Sequence, residues 1–154
     1  MTDTTISLKL SIDLVPVTAR ENSVRKNVSG GVWEEIQVEC FKTYDNKCGL
    51  CGAGGKLACH EVWDYDDTTH TQRLNGFIAL CQDCDNIKHI GIAQIRADKG
   101  EVDFGLLIEH FCAVNKCSRE IFDVNYFQTF AMFMQRNAFS WRPDYGNYSY
   151  LIKK

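Results

Sequence analysis

The sequence predicts an α+β fold: a strand–loop–strand–helix unit bracketed by two cysteine pairs, with a strand and helix before it and helices after it. Three observations predict it. Cys48-Gly-Leu-Cys51 and Cys81-Gln-Asp-Cys84 repeat one two-residue spacing across 29 intervening residues. Short apolar runs at Leu57 to Trp63 and Gly76 to Leu80 lie between the pairs. Apolar residues recur at helical spacing on both sides of this unit.

Ile6, Leu8, Leu10, Ile12 and Leu14 alternate with polar residues, the period of a half-buried strand, and Pro16 ends the run. Residues 18–31 are polar, finish in Ser29-Gly30-Gly31 and read as a loop. Trp33, Ile36, Cys40, Phe41 and Tyr44 predict an amphipathic helix over about residues 32–45. Asp45-Asn46-Lys47 then breaks the helix, and Gly49, Gly52, Gly54 and Gly55 let the backbone bend around the first cysteine pair. Leu57 to Trp63 is a strand, the polar stretch Tyr65 to Asn75 a loop, and Gly76 to Leu80 a second strand entering Cys81. A helix is expected from Asp83 to about Arg96, with Ile87 and Ile90 on its inner side. Phe104, Leu107, Ile108 and Phe111 suit another helix. Ser118 is placed to cap a last one through Phe122, Tyr126, Phe130 and Phe133, whose aromatic residues are read as core. Tyr148, Tyr150 and Ile152 alternate as an edge strand would. All of this fits one domain over residues 1–154, with its motif core at about 46–96 and a helical part at about 103–137.

Two close-spaced cysteine pairs can present four thiolates to one tetrahedral zinc ion, so Cys48, Cys51, Cys81 and Cys84 are the expected ligands. Four protein ligands leave no open position, which makes this zinc structural. Cys40, Cys112 and Cys117 lack ligand spacing and are read as small buried hydrophobes, while Cys59 stays open because His60 follows it. Eight cysteines, four of them at metal-ligand spacing, no signal-like start and no apolar run of membrane-spanning length together predict a cytoplasmic protein with no membrane association. The formal net charge of −3, with one small basic cluster at Arg20, Arg25 and Lys26, argues against indiscriminate nucleic-acid binding.

Asp85 and His89 stand four apart, on one helix face, and can address a single ion, with His60 on the neighbouring strand able to face the same spot. That layout suits metal-dependent phosphodiester cleavage, in which a cation stabilises charge on a phosphate oxygen and an imidazole takes a proton from water. Asp64, Asp66 and Asp67 read as a solvated loop, and His70 and His110 as ordinary surface or packing residues. Arg73 and Lys88 are candidate phosphate contacts.

With Cys48-x-x-Cys51, Leu57-Ala-Cys-His-Glu-Val-Trp63 and Leu80-Cys-Gln-Asp-Cys-Asp-Asn-Ile-Lys-His89 in view, the chain resembles the HNH nucleases, and most of all the zinc-stapled HNH-like proteins of bacteria and phages. The resemblance implies a ββα-metal unit and a DNA endonuclease. It places His60 as general base, and Asp85 and His89 as ligands of a catalytic Mg²⁺ or Mn²⁺. Cys59 falls where the family often carries a further ligand. The family's middle Asn aligns with Gly76, one place from Asn75, so Asn75 serves only if a bulge turns it onto the right face. The alternative is a degenerate HNH-like adaptor or inhibitor that binds a protein or nucleic-acid partner. The N-terminal strand offers an edge through which two copies could pair.

Overall fold

The computed structural model describes residues 7–152. At its centre is a long antiparallel hairpin, β1 (Leu57–Asp66) and β2 (Thr71–Cys81). A short strand, β3 (Arg142–Asp144), lies parallel beside the start of β2 and completes a sheet of order β1-β2-β3. Two short helical pieces precede the hairpin: a 3-10 turn at Val17–Asn22 and α1 (Val24–Asn27). Helix α2 (Gly30–Thr43) leads into the first cysteine pair. After the hairpin come α3 (Gln82–Lys88), α4 (Ile90–Asp98), α5 (Phe104–Asn115) and α6 (Arg119–Arg136). None of the helices among the described residues is long and apolar enough to cross a membrane.

The hairpin separates two apolar clusters. On one side Leu10, Ile12, Leu80, Ile87, Ile90, Leu107, Phe111 and Phe122 pack together with Cys48, Cys81 and Cys84. On the other, Val24, Val28, Trp33 and Leu74 pack with Cys59, Trp63, Phe77 and Tyr148. Because neighbouring strand residues face opposite ways, His60 and Cys59 look toward different clusters.

The expected N-terminal strand is not formed; its first residue, Ile6, lies outside the described residues. The alternation is real, since Leu10 and Ile12 are buried, but the partners are helices rather than a strand. Asn115 accepts from the Leu10 amide at 2.8 Å and donates to the Leu10 carbonyl at 2.7 Å, as a neighbouring strand would. Asn125 accepts from the Ile12 amide at 3.0 Å, and the Asp13 amide donates to the Lys88 carbonyl at 3.2 Å. Asn115→Ala strands two half-buried backbone groups and is expected to cost about 1–3 kcal/mol, read as a lower urea midpoint with an unchanged slope.

Residues 18–31 are mostly helical rather than looped, because Ser23 and Ser29 each accept an amide of the following turn and start α1 and α2. The stretch from Tyr65 to Asn75 is largely strand. Its polar side chains have partners at the sheet's far end: buried Gln72 accepts from Asn22 and donates to Tyr65, and Arg73 pairs with Asp144 at 3.1 Å. Only the turn is short, held by Asp66, which accepts from the Thr68 and Thr69 amides. The helix expected from 83 to 96 is broken at His89, which ends α3 and begins α4 with φ −105° and ψ 49°. At the C-terminus the added strand is Arg142–Asp144. Tyr148 and Tyr150 sit instead in a 3-10 helix, Gly146–Leu151, whose Tyr148 packs against Phe77.

Candidate metal centres

Cys48 and Cys51 stand on the turn between α2 and β1. Two backbone bonds fix that turn, Cys48 N–H to Ala53 O at 2.8 Å and Gly49 N–H to Ala79 O at 2.7 Å. The second bond draws Gly49 so close to β2 that a Cβ there would lie 2.8 Å from both Ile78 and Tyr44, so only glycine fits. Cys81 ends β2 and caps α3, and Cys84 falls in the first turn of that helix.

The four sulfurs lie within 4.8 Å of one another, and Cys51 and Cys81 are 3.5 Å apart. A tetrahedral zinc–thiolate centre with bonds of 2.3 Å has sulfur–sulfur edges of about 3.8 Å, so the set closes on zinc with little movement. All eight cysteines are unpaired by disulfide. The Leu50 and Cys51 amides donate to Cys48 at 3.5 Å, and the Cys84 amide donates to Cys81 at 3.4 Å. Burial works against ionisation of Cys48, but these amide donors bring its thiol down to about 7. Burial pushes Cys81 up to about 11 and Cys84 further. Four thiolates in this space therefore require a cation among them, and a zinc ion fits the donor set.

His110, on α5, was not singled out by spacing. Its Nε2 lies 3.2 Å from Cys84 Sγ, the one fully buried thiol of the four, to which no backbone amide of the described residues donates. An imidazole N–H here supports the thiolate and ties α5 to the centre. His110→Ala is expected to speed zinc transfer to a colorimetric chelator about 10-fold or more, with His110→Gln recovering part of the loss.

The second cluster lies where β1 passes α3. His60, Asp85 and His89 each bring a ligand atom within 4.8 Å of the others. Asp85 Oδ1 is 3.7 Å from His60 Nδ1 and 3.6 Å from His89 Nε2, and the two rings stand edge to face with centroids 5.0 Å apart. The side chain of His60 is 6% exposed, against 40% for His89. The break at His89 leaves its i, i+4 relation to Asp85 intact, since His89 N–H still donates to Asp85 O at 3.0 Å.

Asp13 completes this cluster and had no motif to reveal it. Its Oδ2 lies 3.9 Å from His60 Nε2 and 3.0 Å from Lys88 Nζ. Lys88, expected as a phosphate contact, is thereby paired within the protein, and Arg73 is likewise held by Asp144. Burial opposes ionisation of Asp13, but His60 and Lys88 outweigh it and hold the carboxyl below its ordinary range. Burial also opposes protonation of His60, yet Asp13 and Asp85 on its two nitrogens raise its pKa. Burial dominates at His89 and lowers it.

Two sequence candidates stand apart. The hairpin register skips between Val62↔Gly76 and Trp63↔Leu74, which leaves Asn75 unpaired in a bulge, with Gly76 at φ 142°. The bulge exists, but exposed Asn75 donates its amide to Asp64 instead of addressing His60. Cys59 faces the opposite cluster, where the neighbouring Cys40 and burial push its thiol up. The acidic turn is also occupied: Asp66 holds the hairpin, and Asp67 takes both arms of Arg136 at 2.9 and 3.0 Å. His70 stacks on Phe139, centroids 4.0 Å apart.

A cleft of about 490 Å³ runs from Asp13 and His60 along β1 to Arg136, walled on its far side by Gln128 and Thr129 of α6. It gives the buried His60 a route to solvent. No protein-family model matches the chain, and neither a curated protein nor a solved structure matches it.

Proposed function

We propose that this chain is a divalent-metal-dependent DNA endonuclease of the HNH kind, built around a structural zinc on Cys48, Cys51, Cys81 and Cys84. The observation that carries the reading is the convergence of His60, Asp85 and His89 at a strand–helix junction, separate from the four thiols. An imidazole and a carboxylate, His89 and Asp85, suit Mn²⁺, Ni²⁺ or Zn²⁺ better than Mg²⁺, which prefers oxygen ligands alone. A cation held by Asp85 and His89 supplies Lewis-acid polarisation of a phosphate oxygen and offsets the charge that develops there.

His60 is the base in this reading. Its Nε2 faces the Asp13 carboxylate at 3.9 Å, and that charge favours the tautomer with the proton on Nε2. The Nδ1 lone pair, on the Asp85 side, then takes a proton from the attacking water. Asp13 supplies the orientation expected of the family's Asn and is a positioning residue. Lys88 keeps Asp13 in place.

The test is nicking of supercoiled plasmid by purified protein with Mn²⁺, Ni²⁺ or Mg²⁺, beside His60→Ala and His89→Ala. Metal-dependent nicking lost in both variants supports the reading. Nicking that survives both, or none with any metal, sinks it.

A second reading is favoured by the places of Asn75 and Cys59. With Asn75 on Asp64 and Cys59 beside Cys40, the family's ligand and orienting set is incomplete, as in a scaffold kept for binding a protein or nucleic-acid partner. Absent nicking together with a retained zinc would favour this adaptor.

A further inference from the structure

Across the hairpin from His60, between α2 and the C-terminal 3-10 helix, lies a cavity of about 340 Å³, at the lower end of volumes usual for small-ligand sites. Tyr44, Phe77, Tyr148 and Tyr150 supply aromatic walls, with Phe77 and Tyr148 edge to face at 5.3 Å. Glu35 and Glu39, one turn apart on α2, stand exposed at its rim. Among the described residues, no Lys, Arg or His lines the cavity and neither glutamate forms an ion pair. Two like charges at this spacing weaken a helix unless something positive sits between them. Tyr150 is 80% exposed, a large ring left in water at the mouth.

We infer that this cavity binds an organic cation, an ammonium group carried on a short aliphatic body. Aromatic faces attract such a cation through their quadrupoles, and the apolar floor takes its alkyl part. The two carboxylates add long-range attraction and repel phosphates, so a nucleotide is the wrong occupant. The same chemistry is offered by a free quaternary amine and by a methylated lysine of a partner protein. None of His60, Asp85 or His89 takes part, so the site stands whether or not the chain cuts DNA.

Calorimetry and the ring resonances of Phe77 and Tyr148 test it on the full chain. Choline is one probe, its uncharged isostere with carbon in place of nitrogen is the second, and a short neutral peptide with one trimethyl-lysine is the third. Saturable choline binding is expected, about tenfold weaker for the isostere and about tenfold weaker in Glu35→Gln/Glu39→Gln. Tighter binding of the peptide than of choline identifies a protein as the source of the cation; the reverse identifies a free amine. Equal binding of choline and isostere, or no saturable shift with any probe, overturns the proposal. Lys153 and Lys154 lie outside the described residues, so the titrations are repeated with Lys153→Gln/Lys154→Gln. Binding confined to that variant also overturns the proposal, in favour of the chain's own lysines.

Discussion

Cys84→Ser, or stripping the metal with a strong chelator, is expected to unfold the region around α3 and lower the melting temperature by at least about 10 °C. Zinc binding to four-ligand sites contributes about 10–16 kcal/mol in small peptides, as much as the whole stability of an ordinary domain. Here the ligands come from two distant places, the α2–β1 turn and the β2–α3 junction. Three of them, Cys48, Cys81 and Cys84, are counted in the larger apolar cluster. Losing the ion would leave four close thiols, two of them resisting ionisation, in the middle of that packing. Cys84 is the most damaging to lose, being fully buried and joined to His110 on α5. Elemental analysis should find one zinc per chain. A preparation with none, melting no lower after chelation, would refute the staple.

His60→Ala is expected to reduce nicking about 10²–10⁴-fold at saturating Mn²⁺, the usual loss for a general base. The sign of the pH dependence follows from its surroundings. Asp13 and Asp85 outweigh burial and raise the His60 pKa above its ordinary value, so the neutral, proton-accepting form grows as pH rises through that raised value. The rate should therefore climb with pH, at a higher pH than an ordinary imidazole would give. Asp13→Asn removes one of the two raising carboxylates and should move the climb to lower pH while reducing its plateau, a combination that a merely structural change would not give. Asp85→Asn should instead abolish Mn²⁺ binding, read by the loss of quenched paramagnetic signal. A flat pH profile in the native protein would remove His60 from the role of base.

Both side-chain clusters were legible in the sequence because each carries a short-range spacing. Two Cys-x-x-Cys pairs and an Asp85–His89 separation of four residues survive any uncertainty about the elements between them. Asp13 and His110 were not legible, since they reach the centres from 47 and 26 residues away in the chain and carry no local pattern. The N-terminal segment shows why periodicity can mislead. Leu10 and Ile12 alternate as a strand residue must, yet two asparagine side chains take the place of the neighbouring strand. Polarity misled in the other direction at Gln72 and Arg73, because their partners, Asn22 and Asp144, are far off in sequence. For Asn75 the sequence offered a bulge only as a condition; the bulge forms, but its side chain is aimed at Asp64 across the hairpin.

The asparagine fastening has a consequence for how the molecule breathes. Residues 10–13 are moored by a few hydrogen bonds to α5, α6 and the end of α3, while the hairpin beneath is a long ladder interrupted at the Asn75 bulge. Peeling that strip away disturbs far less than global unfolding does, so its amides should exchange with solvent ahead of those in β1 and β2. Each such excursion would carry Asp13 away from His60 and Lys88, so the surroundings of His60 depend on how firmly two asparagine side chains hold the strip.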